Sequence, residues 1–193
     1  MIQKNLLTTN SKLRKDRIKT FSLPPIKSCP FAGECKLYCY ARKGRYNLPS
    51  VGRALNERLK LTRNLPRFFI RMDSEISRLK STKYIRIHSA GDFYSPEYMR
   101  VWFALARNHP TKVFYAYTKS IGWAKKSAEL GYIPPNFRMI YSYGSREDYL
   151  INPKKDFHAS IFRDAIPPDY TNGSDSDLVA AIGESKKIGL LIH

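Results

Sequence analysis

Three cysteines fall within eleven residues, in the segment C-P-F-A-G-E-C-K-L-Y-C-Y, as Cys29, Cys35 and Cys39, and the chain has no others. An odd, clustered set in a chain that opens without a secretory signal fits a metal or cluster site better than disulfides. Zinc sites usually show C-x2-4-C pairs and four ligands, whereas the spacing here is C-x5-C-x3-C. A zinc site of three cysteines and one of His88, His109 or His158 stays open, as do unliganded structural thiols. Three closely spaced thiolates suit a four-iron cluster, [4Fe-4S], with one iron left to an outside ligand. Pro30 and Gly33 would let the backbone wrap around such a cluster, and the aromatic Tyr38 directly precedes the last cysteine.

A second group follows the apolar run Y-I-R-I, as His88, Ser89, Gly91 and Asp92. A carboxylate there could orient an amine or a ribose hydroxyl, and the imidazole could ligate metal or move a proton. The competing structural role is that Ser89 and Asp92 cap the helix opening near Pro96. Lys119, after K-V-F-Y-A-Y-T, reads as a phosphate or carboxylate contact. Tyr115 and Tyr117 share a face of that run, which core packing explains.

The third pattern is basic. Between Lys36 and Arg71 stand ten Lys or Arg and one acid, Glu57, with Tyr38, Tyr40, Tyr46, Phe68 and Phe69 interleaved. Phosphate neutralisation plus aromatic stacking is how single strands are bound. The candidate contacts are Arg42, Lys43, Arg45, Arg53, Arg58, Arg63 and Arg67. A solvated helix face would look equally basic, and Phe68 and Phe69 are expected in the core. No helix-turn-helix or finger motif supports sequence specificity.

These residues sit in a chain of 193 residues with 34 Lys plus Arg against 16 Asp plus Glu, a net charge of +18. Residues 1–100 hold 22 basic and 7 acidic side chains, residues 101–193 only 12 and 9. That lopsidedness points to a polyanionic partner for the first half, nucleic acid above all and without sequence preference. No apolar run approaches the roughly 20 residues of a membrane span, and no lipid-facing stripe accompanies the basic segments. The expected location is the cytoplasm, with no membrane partner.

The elements that must position these groups follow from periodicity. One domain over 1–193 is expected: a basic arm (1–20), a strand and cysteine loop (21–50), a βα core (51–150) and an irregular tail closing on a short strand (151–193). T-F-S-L alternates as a strand before Pro24-Pro25 stops it. Residues 51–61 fit a helix loosely. Pro66 opens a better one, with Phe68, Met72, Ile76 and Leu79 at helical spacing. Strands are expected at Y-I-R-I, K-V-F-Y-A-Y-T-K and R-M-I-Y-S-Y, separated by helices over Pro96–Arg107 and Ile121–Leu130. Alternating strands and helices predict an α/β fold, a mostly parallel sheet with helices outside it. Chemistry in such sheets sits at the carboxyl ends of strands, where His88 to Asp92, Lys119 and Ser142 to Arg146 fall.

The cysteine loop after a first strand, followed by a strand ending in S-A-G-D, resembles the opening of radical S-adenosylmethionine (SAM) enzymes. That resemblance implies a reduced or partial (β/α) barrel in which Cys29, Cys35 and Cys39 hold a [4Fe-4S] cluster. It further implies that Gly91-Asp92 stands where a Gly-Gly-Glu-like motif meets the methionyl amino group of SAM. The superfamily spacing is C-x3-C-x2-C, so each gap is longer here, and Ala90 and Asp92 replace its first Gly and its Glu. More specifically, the chain is similar to the phage gene product 88 family in N-S-K-L-R-K-D, F-S-L-P with the cysteine loop, I-R-I-H-S-A-G-D-F-Y-S, V-F-Y-A-Y-T-K-S, I-P-P-N-F and G-L-L-I-H. The expected protein is then an iron–sulfur protein acting on or beside nucleic acid in the host cytoplasm. The alternative is a non-catalytic nucleic-acid-binding module whose cluster or zinc only holds the loop.

Overall fold

The computed structural model describes residues 5–183 and 185–192. The first four residues of the expected arm and His193 of the closing strand lie outside that range. Seven strands form one sheet in the order β1-β2-β3-β4-β5-β7-β6, curled into a half-barrel. They are β1 (Lys19–Phe21), β2 (Tyr84–Ile87), β3 (Val113–Thr118), β4 (Phe137–Ser142), β5 (His158–Phe162), β6 (Thr171–Asn172) and β7 (Lys187–Leu191). Every neighbouring pair is parallel.

Register sorts the side chains. Ile85 lies opposite Phe114 and Ile87 opposite Ala116, while Arg86 lies opposite Tyr115. One face therefore carries Phe21, Ile85, Ile87, Phe114, Phe137 and Met139, packed against α2 (Pro49–Thr62), α3 (Leu65–Ser77) and α4 (Pro96–Asn108) through Leu59, Phe68, Met72, Ile76, Tyr98 and Trp102. Helix α3 starts where expected: Pro66 occupies its first turn, and the Asn64 side chain accepts the Arg67 N–H. Helix α5 (Ile121–Glu129) is followed by Gly131 at φ +68°, as the stop signal required.

The second face is not left to outside helices alone. α1 (Ser11–Lys15) and α6 (Leu178–Ile182) pack Leu13, Ala180 and Ala181 onto Tyr115, Ile140, Ala159 and Ile188. Of the residues expected as a basic arm, Ser11–Lys15 form α1 and Lys19 and Thr20 belong to β1. The Leu6 and Leu7 N–H groups donate to the buried Glu75 carboxylate at 2.8 Å each, and the Thr8 and Thr20 backbones exchange hydrogen bonds. The tail is likewise less irregular than its composition, since it holds β5, β6 and α6.

Charge is buried on this second face. Asp177, just before α6, takes Arg86 on one oxygen at 2.6 Å and Lys12 on the other at 2.7 Å, and the Tyr115 hydroxyl donates to it at 3.0 Å. Burial pushes this carboxyl up, but Arg86 and Lys12 outweigh burial and hold it below the ordinary aspartate range.

Candidate functional site

The carboxyl ends of β1 to β4 meet in one mouth, and the cysteine loop is fastened across it. The loop leaves β1 by a turn in which the Leu23 N–H donates to the Ala90 carbonyl at 2.8 Å and the Asp92 N–H to the Ser28 carbonyl at 3.2 Å. Gly91 has φ +81°, and a Cβ there would lie 2.5 Å from the Ser28 Oγ and 2.7 Å from the Leu23 Cβ. Only glycine fits that close approach. Further along, the Gly33 and Cys35 N–H groups both donate to the Gly144 carbonyl, at 3.0 and 3.3 Å. The Ser145 hydroxyl donates to the Lys119 carbonyl at 2.7 Å, with the Phe31 carbonyl as the alternative acceptor at 3.1 Å. Asp148 in turn holds the Gly144 and Ser145 N–H groups at 2.9 Å each.

All three cysteines are free and half-buried. Burial pushes the Cys29 thiol up to about 12, with the Asp92, Cys35 and Cys39 charges adding to it and a hydrogen bond to the Ile26 backbone opposing it. Burial also raises Cys35, against the nearby Lys119 ammonium. Asp92 is the carboxylate whose charge acts on both Cys29 and Cys35. Among the described residues, no three His, Cys, Asp or Glu side chains gather into a group that could hold a metal ion. The zinc alternative also lacks its histidine. His88 sits among Phe21, Phe93 and Tyr98, His109 pairs with Asp73 at 3.0 Å, and His158 packs between Tyr143 and Tyr170.

The remaining mouth residues divide between structure and availability. Asp92 is 5% exposed. It accepts the Phe93 N–H and the Thr118 hydroxyl on one oxygen and the Lys119 N–H on the other, each at 2.7 Å. Three of its roughly four acceptor positions are filled, so it clamps the end of β2 to the end of β3. It does not cap α4: Ser95 does that, through the Tyr98 N–H. Ser89 pairs with the Thr20 hydroxyl at 2.8 Å and accepts the Tyr40 hydroxyl on its carbonyl, so it too is no helix cap. His88 turns into the core at φ +65°, with its Nε2 on the Tyr98 hydroxyl at 2.9 Å. Burial, with Arg86 second, lowers its imidazole to about 3, so it stays neutral. Lys119 differs. Its ammonium donates to the Ser142 hydroxyl at 2.7 Å and has no carboxylate within 4 Å among the described residues.

The basic segment starts at this mouth. Tyr40 follows the last cysteine, and its ring meets Tyr46 at 6.0 Å. Arg42, Lys43, Arg45, Arg53, Arg63 and Arg67 are exposed, and no salt bridge among the described residues uses any of them. Arg63 lies over the Tyr94 ring at 4.5 Å. Arg58 departs from expectation: it is half-buried, and desolvation lowers its guanidinium. Phe68 is fully buried and Phe69 packs beside it, as expected of core residues. The Arg86–Asp177–Lys12 group escaped the sequence reading, although a lone arginine inside Y-I-R-I was its signal. No helix among the described residues is long and apolar enough to cross a membrane.

A family profile described as "Gene product 88" matches residues 3–191. The "Gene 88 protein" of Mycobacterium phage L5 is 32% identical over 102 residues, covering 48% of this chain and 43% of that protein. Its namesake in Mycobacterium phage D29 is 30% identical over 102 residues, covering 48% and 42%. The chain therefore spans less than half the length of these relatives. No solved structure matches it.

Proposed function

The chain belongs to the gene product 88 family, a family of phage proteins, and from that premise we propose that it carries a [4Fe-4S] cluster on Cys29, Cys35 and Cys39 beside a surface for single-stranded nucleic acid, working in the host cytoplasm. The observation that carries this reading is the fastening of a three-thiol loop across the carboxyl ends of β1 to β4, with the unpaired cations of residues 42–67 starting where that loop ends. Three closely spaced thiolates are the donor set of a four-iron cluster with one iron left to an outside ligand. Zinc–sulfur bonds of about 2.3 Å require ligands gathered tightly around one centre, and no such group exists among the described residues. Burial raises the Cys29 and Cys35 thiols, so cluster loading would release protons there. A bound cluster would supply one-electron transfer; Lys119 would hold an anionic group beside it, and Asp92 keeps the strand ends in register.

The state of Asp92 favours the non-catalytic form of this reading. A carboxylate that already accepts three hydrogen bonds is poorly placed to receive the amino group of SAM, the ligand the superfamily resemblance suggests for the open iron. The cluster then organises the loop and the adjoining surface.

Anaerobically purified protein should be brown, with broad absorption near 400 nm. Single Cys29→Ser, Cys35→Ser and Cys39→Ser variants should each lose most of that absorption, because three thiolates leave no spare protein ligand. Unchanged colour in all three, or a colourless wild type, contradicts the cluster. For the nucleic-acid surface, log affinity for a single strand should fall with log salt at a slope of about −3.5 to −4 if five or six cations take part. Charge reversal at the exposed Arg45 and Arg67 should reduce the slope by about 1.4 or more. A flat or unmoved slope contradicts that surface.

A further inference from the structure

The two most exposed large apolar side chains among the described residues are Leu37, at 84%, and Tyr149, at 81%. A single exposed apolar side chain is ordinary. These two stand on the two loops that are fastened to each other over the mouth. Leu37 lies between Cys35, whose N–H donates to the Gly144 carbonyl, and Cys39. Tyr149 follows Asp148, whose carboxylate holds the Gly144 and Ser145 N–H groups. The loops touch again where Gly144, at φ +89°, leaves so little room that a Cβ would lie 2.7 Å from the Tyr38 hydroxyl. Both side chains are therefore presented by anchored backbone.

Their neighbours in sequence set the chemistry of the partner. Lys36 directly precedes Leu37 and Arg146 stands three residues before Tyr149, and neither has a carboxylate within 4 Å among the described residues. The acids on the same loops are partly engaged: both Asp148 oxygens hold backbone N–H groups, and Glu147 accepts the Gly122 N–H at 2.9 Å. Glu34 remains exposed. The cationic surface continues from here through Arg42, Lys43 and Arg45. An exposed tyrosine with few rotamers, on a loop that also carries the exposed Arg146, matches a strand of splayed bases: the ring stacks on any base while cations meet phosphates.

We propose that Tyr149 and Leu37 form a base-stacking platform, with Lys36 and Arg146 as its phosphate contacts, that carries a single-stranded nucleic acid across the cysteine loop. The platform rests on the nucleic-acid half of the function proposed above and adds the route of the strand. Bases paired in a duplex are not free to stack on it, so the platform selects single strands.

The test is fluorescence anisotropy of the full chain with a short labelled oligonucleotide of mixed sequence, single-stranded and as a duplex, across a salt series. Tyr149→Ala should weaken single-strand binding by roughly 5- to 100-fold, with the salt slope unchanged because no charge is removed. Tyr149→Phe, which keeps the ring, should bind like wild type. Lys36→Gln and Arg146→Gln should each reduce the slope by about 0.7. Duplex binding should be indifferent to Tyr149→Ala. If the wild type binds with a steep slope and Tyr149→Ala stays within twofold of it, or loses single strand and duplex equally, the platform is wrong and the broader surface stands. If the wild type binds no strand at all, the nucleic-acid reading fails and the platform with it, and a protein becomes the partner to seek.

Discussion

Replacing Gly144 by alanine should loosen the cysteine loop from β4 without touching a cysteine. The backbone at Gly144 has φ +89°, and a Cβ built there would lie 2.7 Å from the Tyr38 hydroxyl and 3.3 Å from the Cys35 Cβ. Two costs add. A non-glycine residue in the left-handed region loses about 1–2 kcal/mol. Displacing the loop weakens the Gly33 and Cys35 hydrogen bonds to the Gly144 carbonyl, at 3.0 and 3.3 Å, each contributing about 1 kcal/mol. The expected total is about 2–4 kcal/mol. Gly131 is the control: its φ is +68° but nothing lies within 4 Å of its Cβ position, so Gly131→Ala reports the backbone cost alone. Amide hydrogen exchange at Gly33 and Cys35 is the assay. Gly144→Ala should lower their protection by about 30-fold or more, the equivalent of about 2 kcal/mol, and Gly131→Ala should leave it unchanged. Adding Tyr38→Phe to Gly144→Ala should recover part of the loss, because the hydroxyl is the nearest obstructing atom. Equal protection in the two glycine variants would refute the fastening of the loop to β4.

Three further outcomes follow from the buried groups. His88 is lowered to about 3 by burial and by Arg86, against about 6.5 unfolded. Between those values the unfolded chain binds more protons, so the stability present above pH 6.5 is lost as pH falls; from pH 7 to 5 this contributes about 2 kcal/mol. Urea titrations should show that loss in wild type and a flatter limb in His88→Asn, whose side chain tolerates the positive φ; identical limbs count against it. Asp177→Asn strips the counter-charge from Arg86 and Lys12 and should cost about 3 kcal/mol or more in urea unfolding, and a change under 1 kcal/mol would contradict the buried pairing. Incubating reduced, cluster-loaded protein with SAM should yield no 5′-deoxyadenosine, since Asp92 is committed to the strand ends; product formation would return the protein to the enzymes.

The central strands and their helices were legible because their periodicity is local. K-V-F-Y-A-Y-T-K became β3, Ile121–Leu130 became α5 within one residue, and Pro66 opens α3. What escaped depends on distant partners. Leu13 and Ile18 are the apolar residues of a basic stretch, yet both are buried because the half-barrel's second face needs a cover. β6 has two residues and α6 five, too short for any period to register among Pro, Asp, Gly and Ser. At the site, Asp92 and Lys119 stand just past the ends of β2 and β3, where the sequence reading put them. The role of Asp92 was not legible, because its clamp runs to Thr118, 26 residues away. His88 faces the core because of a positive φ that no spacing reveals.

The most direct test of the cluster is elemental: iron, acid-labile sulfide and zinc per chain, measured on anaerobically prepared wild type and on the triple Cys29→Ser, Cys35→Ser, Cys39→Ser variant. The expected wild-type result is about four irons and four sulfides per chain with negligible zinc, all lost in the triple variant. One zinc per chain without sulfide, or no metal in either protein after reconstitution with iron and sulfide, would contradict it.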